Sequence, residues 1–169
     1  MIIRPEQPTD SAAIEALLVI CFGPDRFKKT AYRFREGVAP HPDLSYVMED
    51  ETTGTVIGTI RYWPVMLPDG TQSLLLGPIA IDPSRQSEGM GIDLMEYSLE
   101  KAKALGARSI LLVGDAPYYN RFGFLRENTL GITLPGWVDL NRFLGLEIEP
   151  GILKKQHGML QKMVVSKEE

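Results

Sequence analysis

The segment Gln86-Ser87-Glu88-Gly89-Met90-Gly91 has the composition of an anion-binding loop. Two glycines at this spacing let the backbone turn tightly and approach a ligand without obstruction by a Cβ atom. An amphipathic pattern follows from about Ile92 to Leu105, and the start of a helix presents unpaired N–H groups and the positive end of its dipole. Together these features suit a pyrophosphate. A plain strand-to-helix turn with a capping glycine explains the same residues equally well.

Motifs of other chemistries are missing from the sequence. The loop lacks the Gly-Lys-Ser/Thr ending of a nucleotide-binding P-loop and the third glycine of the dinucleotide fingerprint. A hydrolase is disfavoured because no Gly-x-Ser-x-Gly motif occurs. The single cysteine, Cys21, cannot form an internal disulfide, and His41 and His157 are too isolated to suggest a metal pair. We therefore expect no metal cofactor.

The elements before the loop are predicted to be a strand, two helices and an antiparallel meander. Met1 to Arg4 is a short apolar start, and the helix after it places apolar side chains on one face from Ala13 to Cys21. A second, more polar helix is predicted from Asp25 to Glu36. The chain from Leu44 to Ile81 is then rich in β-branched and aromatic residues and contains two turn signals, which predicts the meander.

The elements after the loop are predicted to continue the sheet in parallel. Ser109 to Val113 is fully apolar after its first residue, as expected of a strand buried on both faces. A strand, a helix and a strand within about 40 residues make a βαβ unit. A short helix near Tyr118 to Phe122 and strands near Leu140 to Ile148 and His157 to Val165 complete the prediction. We expect one α/β domain over residues 1–169, with a mixed central sheet flanked by helices.

Composition excludes several functional classes. The chain has 169 residues, and 18 Lys and Arg against 22 Asp and Glu give a net charge of −4. Such a chain lacks the basic field that drives general nucleic-acid binding. It also shows no apolar run long enough to cross a membrane and no secretory signal. We expect a cytoplasmic protein that binds neither nucleic acid nor membrane.

The order of motifs resembles the GNAT superfamily of acyl-CoA-dependent N-acyltransferases. The resemblance is strongest over residues 73–125 and is carried by Leu76-Gly77-Pro78-Ile79-Ala80-Ile81-Asp82-Pro83, Gln86-x-x-Gly89-x-Gly91, Ser109-Ile110-Leu111-Leu112-Val113 and Tyr119-Asn120-Arg121-Phe122-Gly123-Phe124. Phe143 to Ile148 and Pro150-Gly151 are similar to a bacterial subgroup of predicted acetyltransferases. The resemblance implies the same single-domain fold, with the parallel strand pair around a coenzyme site.

The resemblance also implies which residues hold acetyl-CoA, the expected co-substrate. The segment Ile79-Ala80-Ile81 splays from the neighbouring strand and offers main-chain groups to the pantetheine arm, and one of its N–H groups polarises the thioester carbonyl. The diphosphate is wrapped by the main chain of Gln86, Ser87, Glu88, Gly89, Met90, Gly91 and Ile92. Glu88 stands where the family frequently has a basic residue, a disadvantage that Arg85 or Lys103 could offset.

The catalytic residue implied by the resemblance is Tyr119, as general acid toward the departing thiolate. Two alternatives remain open, namely that Tyr118 has this role or that both rings simply pack in the core. Some family members have a glutamate base on the strand where this chain has Leu112. Asp115 and Glu49 are candidates for that role, as is a free amine that needs no base.

The sequence therefore predicts transfer of an acetyl group from acetyl-CoA to a primary amine by direct attack in a ternary complex. No Cys or Ser dyad suggests a covalent acyl-enzyme. The acceptor is an amine of a small molecule or a protein, and the resemblance allows a homodimer formed through the C-terminal strands. The alternative is a non-catalytic acyl-CoA sensor or assembly module with the same fold. The basic residues between Arg26 and Arg35 either face solvent or flank a substrate.

Overall fold

A seven-stranded mixed sheet organises the computed structural model, which describes residues 1–163 apart from the side chains of residues 86–88. The strands are β1 (Ile2–Pro5), β2 (Tyr46–Asp50), β3 (Thr55–Met66), β4 (Gln72–Ile81), β5 (Ser109–Val113), β6 (Ile132–Thr133), β7 (Phe143–Glu147), β8 (Gly158–Met159) and β9 (Gln161–Lys162). The α-helices are α1 (Ser11–Phe22), α2 (Met90–Ala104) and α3 (Ala116–Tyr119). Short 3-10 turns connect them at Pro8–Asp10, Pro24–Lys28, Thr30–Phe34, Pro83–Glu88, Asn120–Phe122, Arg126–Thr129 and Leu140–Arg142.

The strand order confirms the predicted combination of an antiparallel meander and a parallel pair. The order is β1-β2-β3-β4-β5-β7, with β9 added to the far end of β3, while β6 and β8 pair separately. Neighbours from β1 to β4 are antiparallel, β4 and β5 are parallel, and β5 and β7 are antiparallel. Because α2 connects the parallel strands, these elements form the βαβ unit.

Alternation along the strands divides the core between the two faces of the sheet. Leu74, Ile110 and Leu112 pack with the apolar side of α2 in one cluster. Their chain neighbours Leu75 and Leu111 point to the opposite face, since successive strand residues alternate. That second face is covered by α1 and by the segments that follow α1 and β7. We call these the α2 face and the α1 face of the sheet.

The prediction of a helix from Asp25 to Glu36 is wrong. The segment forms two 3-10 turns, Pro24–Lys28 and Thr30–Phe34, separated by Lys29 in an extended conformation with ψ of 140°. Tertiary hydrogen bonds hold the second turn. Thr30 Oγ1 donates to the carbonyl oxygen of Trp137 at 2.7 Å, and Arg33 Nη1 donates to that of Pro135 at 2.8 Å.

The predicted C-terminal strands are present in shortened form. The strand predicted from Leu140 to Ile148 is confirmed as β7. The strand predicted from His157 to Val165 is replaced by the short β8 and β9, which pair with β6 and β3 respectively. The end of that prediction, including Val165, lies outside the described residues.

Candidate active site

The parallel strands β4 and β5 diverge after a short common ladder. Their pairing consists of Leu74 with Ile110 and Leu75 with Leu111, although β4 continues to Ile81 and β5 to Val113. Beyond the ladder β4 stays paired with β3, and β5 stays paired with β7. The sheet therefore opens between β4 and β5.

Main-chain groups of β4 face this opening. The Asp82 N–H donates to the Ile57 carbonyl of β3 at 2.8 Å. The next hydrogen-bonded residue pair of this antiparallel ladder is therefore Ala80 with Thr59. Because main-chain groups alternate in direction along a strand, the N–H groups of Ile79 and Ile81 point away from β3 and toward the opening. This is the segment expected to bind a pantetheine arm.

The side chains of the same segment belong to the core. Ile81 and Ile79 pack on the α2 face, and Ala80 packs against α1 on the other. Core packing and main-chain binding are therefore compatible here. Cys21, at the end of α1, donates its thiol to the Ile81 carbonyl at 3.3 Å, and burial raises the pKa of this thiol. Cys21 thus has the packing role expected of it rather than that of a nucleophile.

The glycine-containing loop leads directly into α2. Gly89 adopts φ of +75°, a left-handed conformation that favours glycine, and Met90 begins the helix. A Cβ atom at Gly91 would lie 3.0 Å from the hydroxyl oxygen of Tyr118. The side chains of Gln86, Ser87 and Glu88 lie outside the described residues, so the position of the Glu88 carboxylate remains a matter of prediction. The first N–H groups of α2 nevertheless have no partner within the helix, as an anion site requires.

Of the two cations expected to offset Glu88, one is far from the loop, and the action of the other on Glu88 stays a prediction. Lys103 is in the last turn of α2, about 18 Å along the helix axis from Gly91. The suggestion that Lys103 acts on the loop is therefore wrong. Arg85 is close to the loop but bonds the Asp50 carboxylate at 3.1 Å.

A cavity of ≈ 930 Å³ lies at the opening and is lined by residues from both faces of the sheet. Its walls include residues 76–79 of β4, residues 112–115 at the end of β5, and residues 137–139. Tyr118 and Tyr119 line it on the α2 face, beside the start of α2. The 3-10 turns after α1 line it on the α1 face. The volume is within the range of small-molecule sites.

Both tyrosines of α3 line the cavity, with different neighbours. The Tyr119 ring lies so close to Gly114 that no Cβ atom fits there, and it packs against Phe124 at 6.4 Å between centroids. Burial raises the pKa of Tyr119 to about 12. The Tyr118 hydroxyl faces Gly91, and the Arg121 guanidinium lies 4.8 Å from the Tyr118 ring centroid. Tyr119 is therefore a phenol that stays protonated at neutral pH.

The candidate bases differ in position. Leu112 is buried among apolar side chains, so its strand position offers no carboxylate. Asp115 lines the cavity, but one of its oxygens caps α3 by accepting from the Tyr118 N–H at 3.3 Å. Glu49 lies on β2, which β3 separates from β4, and its carboxylate is 3.5 Å from Arg4. The suggestion that Glu49 acts as the base is therefore wrong.

The basic residues after α1 do not form one solvated helix face. Arg26 pairs with Glu15 and Lys28 pairs with Asp25 at 3.3 Å, whereas Arg35 turns inward over the Trp63 ring. Arg26, Lys28, Lys29 and Arg35 all line the cavity. The spacing of Arg35 and its neighbours predicted a single helix with all of them on one face. Lys29 is instead extended and ends the first 3-10 turn, so Arg35 points in a different direction from the residues before it.

Trp63 and Trp137 have opposite environments. Trp63 is buried and donates its indole N–H to the Gly77 carbonyl. Trp137 is 86% exposed at the rim of the cavity. Neither a helix suited to crossing a membrane nor a metal-binding group of three or more His, Cys, Asp and Glu side chains occurs in the described part of the chain.

Comparison with known proteins identifies the family. The model of the "Acetyltransferase (GNAT) family" matches residues 11–124. The uncharacterized N-acetyltransferase YhbS of Escherichia coli K12 is 31% identical over 125 residues, which is 73% of each chain. The crystal structure of YhbS from E. coli in complex with CoA has a TM-score of 0.77 and 27% identity, covering 96% of this chain and 89% of that one.

A second solved structure supports the same assignment. A GNAT family acetyltransferase from Brucella melitensis, in complex with acetyl-CoA, has a TM-score of 0.67 and 26% identity and covers 96% of both chains. The region matched by the family model, residues 11–124, contains the diverging strands β4 and β5, the glycine-containing loop and α3. This chain belongs to the GNAT acetyltransferase family.

Proposed function

We propose that the protein is an acetyl-CoA-dependent N-acetyltransferase acting on a primary amine. The observation that carries this proposal is the divergence of β4 from β5, which turns the N–H groups of Ile79 and Ile81 away from β3. Ile79 lines the cavity at this opening, and Tyr118, another lining residue, directs its hydroxyl at Gly91. Relatives with this fold have been crystallised with CoA and with acetyl-CoA. We further propose that residues 1–169 form one N-acetyltransferase domain.

The residues of this chain suit both the diphosphate and the pantetheine arm of the coenzyme. The main chain from Gln86 to Ile92, with Gly89 left-handed and α2 beginning at Met90, offers N–H donors to a diphosphate. Main-chain groups of the Ile79–Ile81 segment offer donors and acceptors to an amide-containing arm. The acetyl thioester supplies the activated acyl carbon.

The reaction needs an uncharged amine close to the carbonyl carbon. The amine nitrogen forms the new C–N bond as the C–S bond breaks, and the products are an N-acetylated amine and free thiol. An N–H of Ile79 or Ile81 donates to the carbonyl oxygen as negative charge develops there. The proton released by the amine leaves to solvent, and we assign Asp115 at the cavity wall as the carboxylate that accepts it on the way.

Tyr119 is proposed to protonate the departing sulfur and then to regain a proton from solvent. Its phenol lines the cavity and, with a pKa raised to about 12 by burial, keeps its proton at neutral pH. A thiolate leaving group gains from a proton donor within hydrogen-bond reach. Tyr118 lines the same cavity, but its hydroxyl is directed at the start of α2, which favours a role beside the coenzyme loop.

The test is acetyl-CoA-dependent release of free thiol over a panel of amines, combined with calorimetric titration of acetyl-CoA. We expect binding of acetyl-CoA and turnover with at least one class of primary amine. Binding without amine-dependent thiol release would favour the acyl-CoA sensor, and no binding at all would contradict both functions.

A further inference from the structure

Arg35 is a half-buried cation that has no carboxylate within ion-pair distance among the described residues. Its Nε atom is buried and has no hydrogen-bond partner. The guanidinium carbon lies 5.9 Å from the Trp63 ring centroid, and Nη2 would be 2.9 Å from a Cβ atom at Gly77. The neighbouring charge is another cation, Arg61, which Glu6 already binds at 2.6 Å.

This arrangement is energetically unfavourable without an anion. Burial of an unpaired charge is costly, and here it lowers the pKa of Arg35 to about 10. Contact with an aromatic ring compensates for part of this cost only. Nearby arginines differ, because Arg26 pairs with Glu15 and Arg33 donates to the Pro135 carbonyl. An anion in the cavity would supply the missing partner.

The location of Arg35 indicates which reactant carries that anion. Arg35 and Trp63 lie on the α1 face of the sheet, whereas Tyr119 and the start of α2 lie on the α2 face. Gly77, which the guanidinium contacts, precedes Ile79 by two strand residues, or about 7 Å. An anion bound at Arg35 would therefore lie across the opening from the coenzyme loop. It would also lie close to the proposed position of the thioester carbonyl at Ile79, at a distance that a small molecule can span.

We propose that Arg35 binds the carboxylate of the acceptor, so that the substrate is an amine that also carries a carboxyl group, of the amino-acid type. The proposal rests on the proposed function. A guanidinium can bind a carboxylate through two parallel N–H donors, which fixes the orientation of a small substrate as well as its position. The carboxylate is unchanged in the reaction, while the amino group of the same molecule attacks the thioester.

The experiment measures thiol release from acetyl-CoA with common L-amino acids, ω-amino acids and dipeptides as acceptors. Each acceptor is compared with the analogue in which its carboxylate is replaced by a carboxamide. We expect the best carboxylate substrate to exceed its carboxamide in kcat/KM by at least about 30-fold. Arg35→Met should remove this preference, and Arg35→Lys should retain part of it. Arg108→Met is the matched control, because Arg108 pairs with Glu149 at an exposed site outside the cavity.

Several outcomes would overturn the proposal. If acetyl-CoA binds but carboxamides react as well as carboxylates, or no carboxyl-bearing amine reacts, Arg35 does not select the acceptor. A preference for succinyl-CoA over acetyl-CoA that Arg35→Met abolishes would place the carboxylate on the acyl donor instead. If Arg35→Met fails to fold, the carboxamide comparison in the unchanged protein and the Arg35→Lys variant still decide. Failure of acetyl-CoA to bind in calorimetry would instead overturn the proposed function.

Discussion

At the scale of single residues, the tyrosines of α3 offer a direct comparison of two phenols in one cavity. Tyr119→Phe removes the proposed proton donor and should lower kcat by about 10²-fold while leaving the acetyl-CoA Kd unchanged. Because burial raises the pKa of Tyr119 to about 12, the loss should be the same from neutral to mildly alkaline pH. The measurement is a pH profile of kcat beside calorimetry.

Tyr118→Phe is the matched variant, since the Tyr118 hydroxyl faces Gly91 rather than the proposed sulfur position. It should change kcat by less than about tenfold. The opposite ranking of the two variants would assign the donor role to Tyr118, and wild-type rates in both would remove the tyrosine donor from the mechanism.

Gly89 tests the coenzyme loop through its backbone alone. Gly89→Ala places a Cβ atom on a left-handed residue with φ of +75° and should cost about 1 kcal/mol of folding stability. Displacement of the loop should also raise the acetyl-CoA Kd by about tenfold.

Gly54→Ala is the control for Gly89→Ala, because Gly54 has φ of +71° in the turn between β2 and β3 and lies away from the cavity. It should show the same loss of stability with an unchanged Kd. A binding role for the loop would be contradicted if both variants lost coenzyme affinity to the same extent, or if neither variant lost any.

At the scale of elements, the opening depends on how β4 and β5 are joined below it. The hydroxyls of Ser73 on β4 and Ser109 on β5 are buried and 2.6 Å apart. Ser73→Ala should reduce the free energy of unfolding by about 1–2 kcal/mol because a buried hydroxyl loses its partner. Chemical denaturation measures this loss.

The double variant Ser73→Ala/Ser109→Ala distinguishes a hydrogen-bonded pair from two independent contacts. Removing both hydroxyls leaves fewer buried polar groups unsatisfied than removing one. The double variant should therefore lose less free energy of unfolding than the sum of the losses in the two single variants. Additive losses would show that the pair does not join the strands.

The elements around the opening also show how far local sequence patterns determine structure. Ser109–Val113 has the predicted bounds because an apolar run of this length, buried on both faces, has few alternatives. In contrast, the apolar spacing after Asp25 fits a helix and two 3-10 turns alike. Contacts distant in sequence, such as Thr30 with Trp137, decide between them. For the same reason, the inward direction of Arg35 could not be predicted from its spacing. In contrast, the strand at Ile79–Ile81 and the glycine turn before α2 follow from local main-chain preferences and have the predicted structure, while their coenzyme role stays a prediction.

At the scale of the whole molecule, stability should fall in acid. Asp10 is buried and accepts hydrogen bonds from Arg4 at 2.8 and 2.9 Å, which lowers the pKa of its carboxyl. A lowered folded-state pKa stabilises the fold above the unfolded value of about 4, and this contribution is lost as pH falls through the folded value. Asp10→Asn should therefore reduce stability by about 2 kcal/mol at neutral pH and by less in acid.

Asp25→Asn provides the comparison for Asp10→Asn, because the Asp25–Lys28 pair is 80% and 84% exposed. It should have little effect at any pH. Denaturation curves across the acidic range measure both variants. A loss in Asp10→Asn that did not shrink in acid would exclude the ion pair as its origin.

The central claim is that the opening between β4 and β5 holds the thioester arm while the loop before α2 holds the diphosphate. A crystal structure of the acetyl-CoA complex tests it most directly. We predict the thioester oxygen at about 3 Å from the N–H of Ile79 or Ile81, and the diphosphate against the main chain of residues 86–92. An arm bound outside the opening, or a loop closed by its own side chains, would contradict the account.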